Sequence, residues 1–208
     1  MKVELINYSG SSCNEAISIC HNTQLESEKE QNNLLVKVLN SGHSSILEFA
    51  DFTFKISEVS RSLTHQLVRH RIASYAQQSQ RFVTPESSFV IPPKIRSNKK
   101  ALTIFNNSTD KALESYEKLI KEGIPKEDAR YLLPNATYTY IIVKMNARTL
   151  NEFFNLRCCN HAQWEIRKMA NKMLKICRDI EPLLFFKDYP DCKNCNTICD
   201  NPINKIWI

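Results

Sequence analysis

The stretch ATYTYIIVKMN, residues 136–146, is the part of this chain that most constrains its fold. It is dense in β-branched and aromatic side chains, which suit a pleated and half-buried surface, and it predicts a strand. Working outward, FADFTFKIS, residues 49–57, alternates Phe52, Phe54 and Ile56 with Thr53, Lys55 and Ser57, a second strand with one buried face. The opening KVELINY alternates more weakly and predicts a third, short strand. Between and after these runs the apolar period changes to that of helices. One helical stretch spans Cys13 to Asn40, clearest at Leu34, Leu35, Val38 and Leu39, and stops at Gly42. Others are expected over 60–69, over 101–122 with Gly123 and Pro125 closing it, over 150–156, and over 161–180. The last of these carries Ala162, Ile166, Ala170, Met173, Cys177 and Ile180 along one face. VTPESSFVIPPKIRSNKK, residues 83–100, reads as an extended, proline-marked connection. Strands this separated and helices this numerous predict a mixed α/β chain, neither a sandwich nor a pure bundle. One domain over residues 1–185 is expected, followed by a turn-rich, cysteine-containing tail over 186–208.

Composition narrows the chemistry. The 208 residues have the apolar and charged fractions of an ordinary soluble globular protein, and a net charge of +6. No apolar run approaches the ~20 residues that span a bilayer, and the first residues lack a secretory signal's apolar stretch, so a cytoplasmic protein is expected. The eight cysteines are scattered through core-forming sequence and are read as reduced thiols. In the tail, Cys192-x2-Cys195-x3-Cys199 could give three thiolates to zinc, but the second ligand pair of a standard zinc module is missing, and no metal site is predicted. The five histidines include no His-Glu-x-x-His pair. With only three glycines, the chain cannot build a dinucleotide fingerprint or a phosphate-binding glycine loop. Any phosphate it holds must be met by side chains, and arginine, with its planar fork of donors, suits that task.

Arginine is concentrated where it is needed. Lysine outnumbers arginine 18 to 10, yet between Lys55 and Lys94 the only cationic residues besides histidine are Arg61, Arg69, Arg71 and Arg81. No Asp or Glu occurs between Glu58 and Glu86 to pair with them. Four unpaired guanidinium groups repel one another unless an anion joins them. If Arg69, His70 and Arg71 close a helix, their side chains diverge by about 100° each and serve two ligands or two parts of one. If Ser79 to Arg81 is extended, a hydroxyl and a guanidinium share one face and can grip one phosphate. The rival reading is a nucleic-acid-binding module, with Tyr75 and Phe82 interleaved among the arginines.

The motifs resemble those of one enzyme family, the flavin-dependent thymidylate synthases. Arg69-His70-Arg71, then Ser79-Gln80-Arg81, looks like its signature. GHSSILEF (42–49), EDARYLLP (127–134) and NARTLNEFFNLRCCNHAQWEI (146–166) resemble three further segments of it in the right order. The resemblance implies a mixed fold of the α+β type, with a central, twisted, largely antiparallel sheet flanked by helices, assembled as a homotetramer with shared active sites. It implies conversion of dUMP to dTMP, with methylenetetrahydrofolate as carbon donor, FAD as cofactor and NADPH as reductant. Neither a nucleic acid nor a membrane is an expected partner.

Carried over by position, the resemblance assigns Gln66, Arg69, Gln77, Ser79, Gln80, Arg81, Arg130 and Arg157 to dUMP. It assigns Ser45, Glu48, Arg69, His70, Arg71, Gln77, Asn146, Arg148, Glu152 and His161 to the flavin. Arg157 is the expected activating residue, because a guanidinium at the uracil edge stabilises the negative charge that C5 attack requires. Ser79 has no evident base and is assigned to binding. The chain departs from the family at Phe49, where a second histidine is usual, at Phe82, where tyrosine is common, and at Glu152, where a neutral polar residue is expected.

Overall fold

The computed structural model describes residues 1–208 except 11, 24–26, 87, 196–198, 200–201 and 203–208. The chain runs β1 (Lys2–Tyr8), α1 (Ser12–His21), α2 (Glu28–Asn40), a 3-10 turn (Ser45–Phe49), β2 (Asp51–Ser60), α3 (Arg61–Leu67) and β3 (Ser74–Gln77). It continues through α4 (Pro93–Arg96), α5 (Lys99–Lys121), α6 (Lys126–Ala129), a second 3-10 turn (Arg130–Leu132), β4 (Tyr138–Asn146), α7 (Ala147–Arg157) and α8 (Trp164–Ile180). The four strands form an open antiparallel sheet in the order β1-β2-β4-β3. Among the described residues, no helix is long and apolar enough to cross a membrane.

Local chemistry sets the element ends. β4 buries Thr139, Ile141, Val143 and Met145 at every second position, the period of a strand with one face covered. β2 keeps that alternation through Ile56, then buries Ser57 as well. The break falls beside Glu58, whose φ of 58° lies in the left-handed region, as an extra residue in a strand produces. Glu58 is met there by the N-terminal ammonium at 3.1 Å and Lys2 at 3.2 Å, and these hydrogen-bonded cations hold its carboxyl below the usual range. The helical stretch expected from Cys13 to Asn40 is two helices. Ser27 starts the second with a reciprocal capping box to Glu30, a stop-and-restart signal that the apolar spacing does not carry. Gly123 ends α5 at φ 82°, with Ile124 N donating to Leu119 O at 3.0 Å, a closure that a residue with a Cβ would strain.

The chain divides into two compact units. Unit 1 comprises Met1–Lys2, Ile56–Arg69 and Ala76–Ile141, and unit 2 comprises Val3–Lys55, His70–Tyr75 and Ile142–Ile208. Unit 1 buries Val59, Leu63, Leu67, Tyr116 and Ala129. The 83–100 segment is less plain than its sequence suggests. It bridges Phe89 to Thr137, with Val90 N donating to Ala136 O at 2.8 Å, and folds Pro93–Arg96 into a helical turn.

Unit 2 is built on aromatic rings. Phe52, Phe154 and Phe185 meet edge to face, with Phe52 to Phe185 at 5.4 Å and Phe154 to Phe185 at 5.8 Å. The face of α8 adds Ile166, Met169, Ala170, Met173, Leu174 and Cys177, while Ile180, expected on that stripe, is 41% exposed.

Candidate active site

Unit 1 holds most of the residues assigned to dUMP. Gln66 lies on α3, Arg69 just past its end, Gln77 at the end of β3, and Arg130 in the second 3-10 turn. The Ser79–Arg81 segment is a turn, not the extended run that would put Ser79 and Arg81 on one face: Val83 N donates to Ser79 O at 3.0 Å, and Arg81 N donates to Ser79 Oγ at 3.2 Å. The serine hydroxyl thereby closes its own turn, a local bond that competes with strand formation. Arg81 has also found an acid. Its Nη2 and Nε lie 2.8 and 2.9 Å from Glu127 Oε2, a partner 46 residues away that the acid-free sequence window conceals. Arg130 Nε donates to the Glu127 carbonyl at 3.0 Å, and the Arg81 guanidinium lies 5.5 Å from the Phe82 ring centre. Arg61, to which the resemblance gives no role, is half-buried and donates to Gln78 O at 3.4 Å. Burial, and secondarily the like charge of Arg130, draw its pKa down. Gln77 Nε2 donates to Thr64 Oγ1 at 2.9 Å and Thr139 Oγ1 at 3.3 Å, which fixes its amide.

The residues assigned to the flavin fall in unit 2, apart from Arg69 and Gln77. Ser45 and Glu48 are on the first 3-10 turn, His70 and Arg71 precede β3, and Arg148 and Glu152 are on α7. Asn146 caps α7, its side chain accepting from Thr149 N at 2.9 Å. Arg148 Nη1 and Glu48 Oε1 pair at 2.5 Å, both nearly half exposed. Arg71, like Arg69 in unit 1, is an exposed cation with no ion pair among the described residues.

Around the end of α7 the charges are coupled. The His70 ring meets Phe153 edge to face at 5.6 Å. Burial lowers its pKa, Glu152 and a backbone bond to Thr149 oppose that, and Arg157 adds to it. Tyr75 donates to the His70 carbonyl at 2.7 Å, and burial pushes its phenol up to about 12 against the pull of Arg157. Arg157 is half-buried, which lowers its own pKa, and its Nε is buried with no hydrogen-bond partner among the described residues. A buried donor without an acceptor costs about 1–3 kcal/mol, so this guanidinium is a candidate to take a further acceptor. A cavity of about 490 Å³ in unit 2 is lined by both Arg157 and His161.

The structure therefore groups His70, Glu152 and Arg157 about α7, pairs Glu48 with Arg148, and links Arg81 to Arg130 through Glu127. Tyr75 and Glu127 have no role in the sequence assignment. Tyr75 lies inside the arginine-rich stretch, where the rival reading named it, and Glu127 opens the EDARYLLP segment, though the sequence does not show its pairing with Arg81. Taken unit by unit, the exposed Arg69 and fixed Gln77 amide of unit 1, and the exposed Arg71 and buried Arg157 donor of unit 2, suit anionic ligands with hydrogen-bonding edges.

The comparisons agree in kind. A family described as thymidylate synthase complementing protein matches residues 4–183. The flavin-dependent thymidylate synthase of Geobacter sulfurreducens is 47% identical over 161 residues, covering 76% of this chain and 69% of that protein. That of Clostridium tetani is 45% identical over 187 residues, covering 82% and 75%. That of Pyrococcus furiosus is 46% identical over 166 residues, covering 76% and 68%. The chain belongs to the thymidylate synthase complementing protein family.

Proposed function

We propose that this chain is a flavin-dependent thymidylate synthase, which methylates dUMP to dTMP reductively. Its carbon donor is methylenetetrahydrofolate, released as tetrahydrofolate, and its reductant is NADPH. The observation that carries the reading is the match to enzymes of that name along most of the chain, and the arginine cluster of the sequence supports it. Nothing favours the nucleic-acid-binding alternative. The reading includes a cytoplasmic homotetramer, supported by the family resemblance, in which residues 1–185 form the catalytic domain.

In this reading Arg69, Arg81 and Arg130 hold the dUMP phosphate with Ser79, while Gln66, Gln77 and Gln80 orient the nucleoside. Ser45, Glu48, His70, Arg71, Asn146, Arg148, Glu152 and His161 line the FAD site, and Arg69 and Gln77 contribute to both ligands. FAD, when bound and reduced, supplies the hydride. Arg157 lies at the pyrimidine edge, where its unspent Nε–H and positive charge stabilise the anion as N3 ionises and C5 becomes nucleophilic. The half-buried setting of Arg157 strengthens that interaction over what water would allow.

The test is the visible absorption spectrum of the purified protein, titrated with dUMP and followed by an assay of dTMP formation. Flavin bands that shift on adding dUMP, with dTMP made only when folate donor and NADPH are both present, are expected. A protein that takes up no added FAD would overturn the reading.

A further inference from the structure

The tail motif Cys192-x2-Cys195-x3-Cys199 offers three sulfurs at metal-ligand spacing and, as sequence, lacks a fourth ligand. The fold brings a candidate to the same cavity. All three cysteines line the 490 Å³ cavity of unit 2, and its wall also includes Cys159 and His161, from the connection between α7 and α8. His161 Nε2 lies 3.1 Å from Cys199 Sγ. The loop between the first two tail cysteines is already shaped: Asp191 accepts from Asn194 N at 3.2 Å and from Asn194 Nδ2 at 2.7 Å, while Asp191 N donates to Asn155 Oδ1 on α7 at 2.9 Å.

The neighbouring thiols mark the difference. Cys158 is buried, its thiol pushed up to about 12 by desolvation, whereas Cys159, one residue on, is half-exposed at the cavity. All eight cysteines are thiols and none is in a disulfide. Among the described residues no three candidate ligands yet converge on one point, so ion binding must draw the cavity wall inward.

We propose that Cys159, Cys192, Cys195 and Cys199 bind one zinc ion, with His161 Nε2–H donating to the Cys199 sulfur. Thiolates select zinc over the hard cations magnesium and calcium, and four of them satisfy its tetrahedral preference. Each sulfur loses its proton as its bond to zinc forms, so loading releases one proton per thiol and changes no oxidation state. The resulting tetrathiolate site carries excess negative charge. The His161 N–H, and the Arg157 guanidinium on the same cavity wall, offset it. The four ligands lie outside the proposed dUMP and FAD contacts; His161 and Arg157, which belong to those contacts, act here through a hydrogen bond and a charge and not as ligands.

The experiment measures zinc and reactive thiols on the full chain, loaded with FAD and purified without added chelator. About one zinc per chain is expected, released from the wild-type protein by a mercurial reagent as the cavity thiols react. Cys159→Ser and the double variant Cys192→Ser/Cys199→Ser should lose the zinc, and Cys20→Ser, exposed on α1, should keep it. Mercurial release from wild type decides the matter even where a variant fails to fold. Zinc far below one per chain after growth in zinc-supplemented medium would overturn the proposal, as would full zinc in both cavity variants. So would a native mass two hydrogens light, which marks a disulfide. FAD binding is read separately from the flavin spectrum, so failure of the zinc site is distinguishable from failure of the enzyme reading.

Discussion

Units 1 and 2 hold their arginines in different ways. In unit 1 the Arg81 guanidinium is 53% exposed and is already occupied by Glu127, itself 48% exposed. A phosphate arriving there exchanges one anion for another in high dielectric, so little net energy is at stake and salt screens much of it. In unit 2 the Arg157 Nε–H is buried and has no hydrogen-bond partner among the described residues. Its desolvation was met when the chain folded, and the full hydrogen bond is available when an acceptor arrives. The first arrangement suits reversible capture of a nucleotide, and the second suits stabilising charge that develops during reaction. Exchange also recurs in unit 2, where Arg148 is held by Glu48, so the contrast is between individual arginines as much as between units.

The comparison breaks most readily at Arg157. Arg157→Ala is expected to lower turnover by about 10²–10³-fold, the scale of losing one preorganised donor, while the flavin spectrum persists. Near-normal dTMP formation would remove Arg157 from the chemistry. Arg81→Ala should raise KM for dUMP by about 10–100-fold with kcat nearly kept, since a phosphate contact is shared by ground and transition states. Loss of FAD in that variant would mean that Arg81 serves the flavin and not dUMP alone. Glu127→Gln sharpens the exchange argument, because freeing Arg81 should tighten dUMP by up to about 5-fold, within the range of exposed pairs. Weaker binding instead would make Glu127 a shaping residue.

The smallest effect concerns pH. His70 has its folded pKa drawn below the ordinary value near 6.5 by burial. The unfolded chain therefore binds the proton first, and stability falls as pH drops from about 6.5 toward the lowered value. Urea midpoints compared at pH 7.5 and pH 5.5 should fall less in His70→Gln than in wild type. An identical fall would place the acid sensitivity elsewhere.

The sequence made the elements legible where period and breakers agree, as at β4 and at the Gly123 stop of α5. It failed where a polar side chain decides. Ser27 restarts a helix through its cap, and Ser79, considered above as part of an extended run, instead closes a turn by accepting from Arg81 N. Among site residues, the arginine cluster stood out by composition alone. The partner of Arg81 did not, since pairing with Glu127 across 46 residues leaves no local trace. Nor did the Arg157 donor, because the lack of a partner among the described residues is visible only in three dimensions.

The cysteines have a consequence for watching this molecule open. All eight fall within the ranges of unit 2, and unit 1 has none. Cys13, Cys158 and Cys177 are buried and desolvated, so an alkylating reagent reaches them only during transient opening. Timed alkylation followed by mass spectrometry is thus a one-sided clock: it records the breathing of the aromatic core, while unit 1 stays silent without any engineered label.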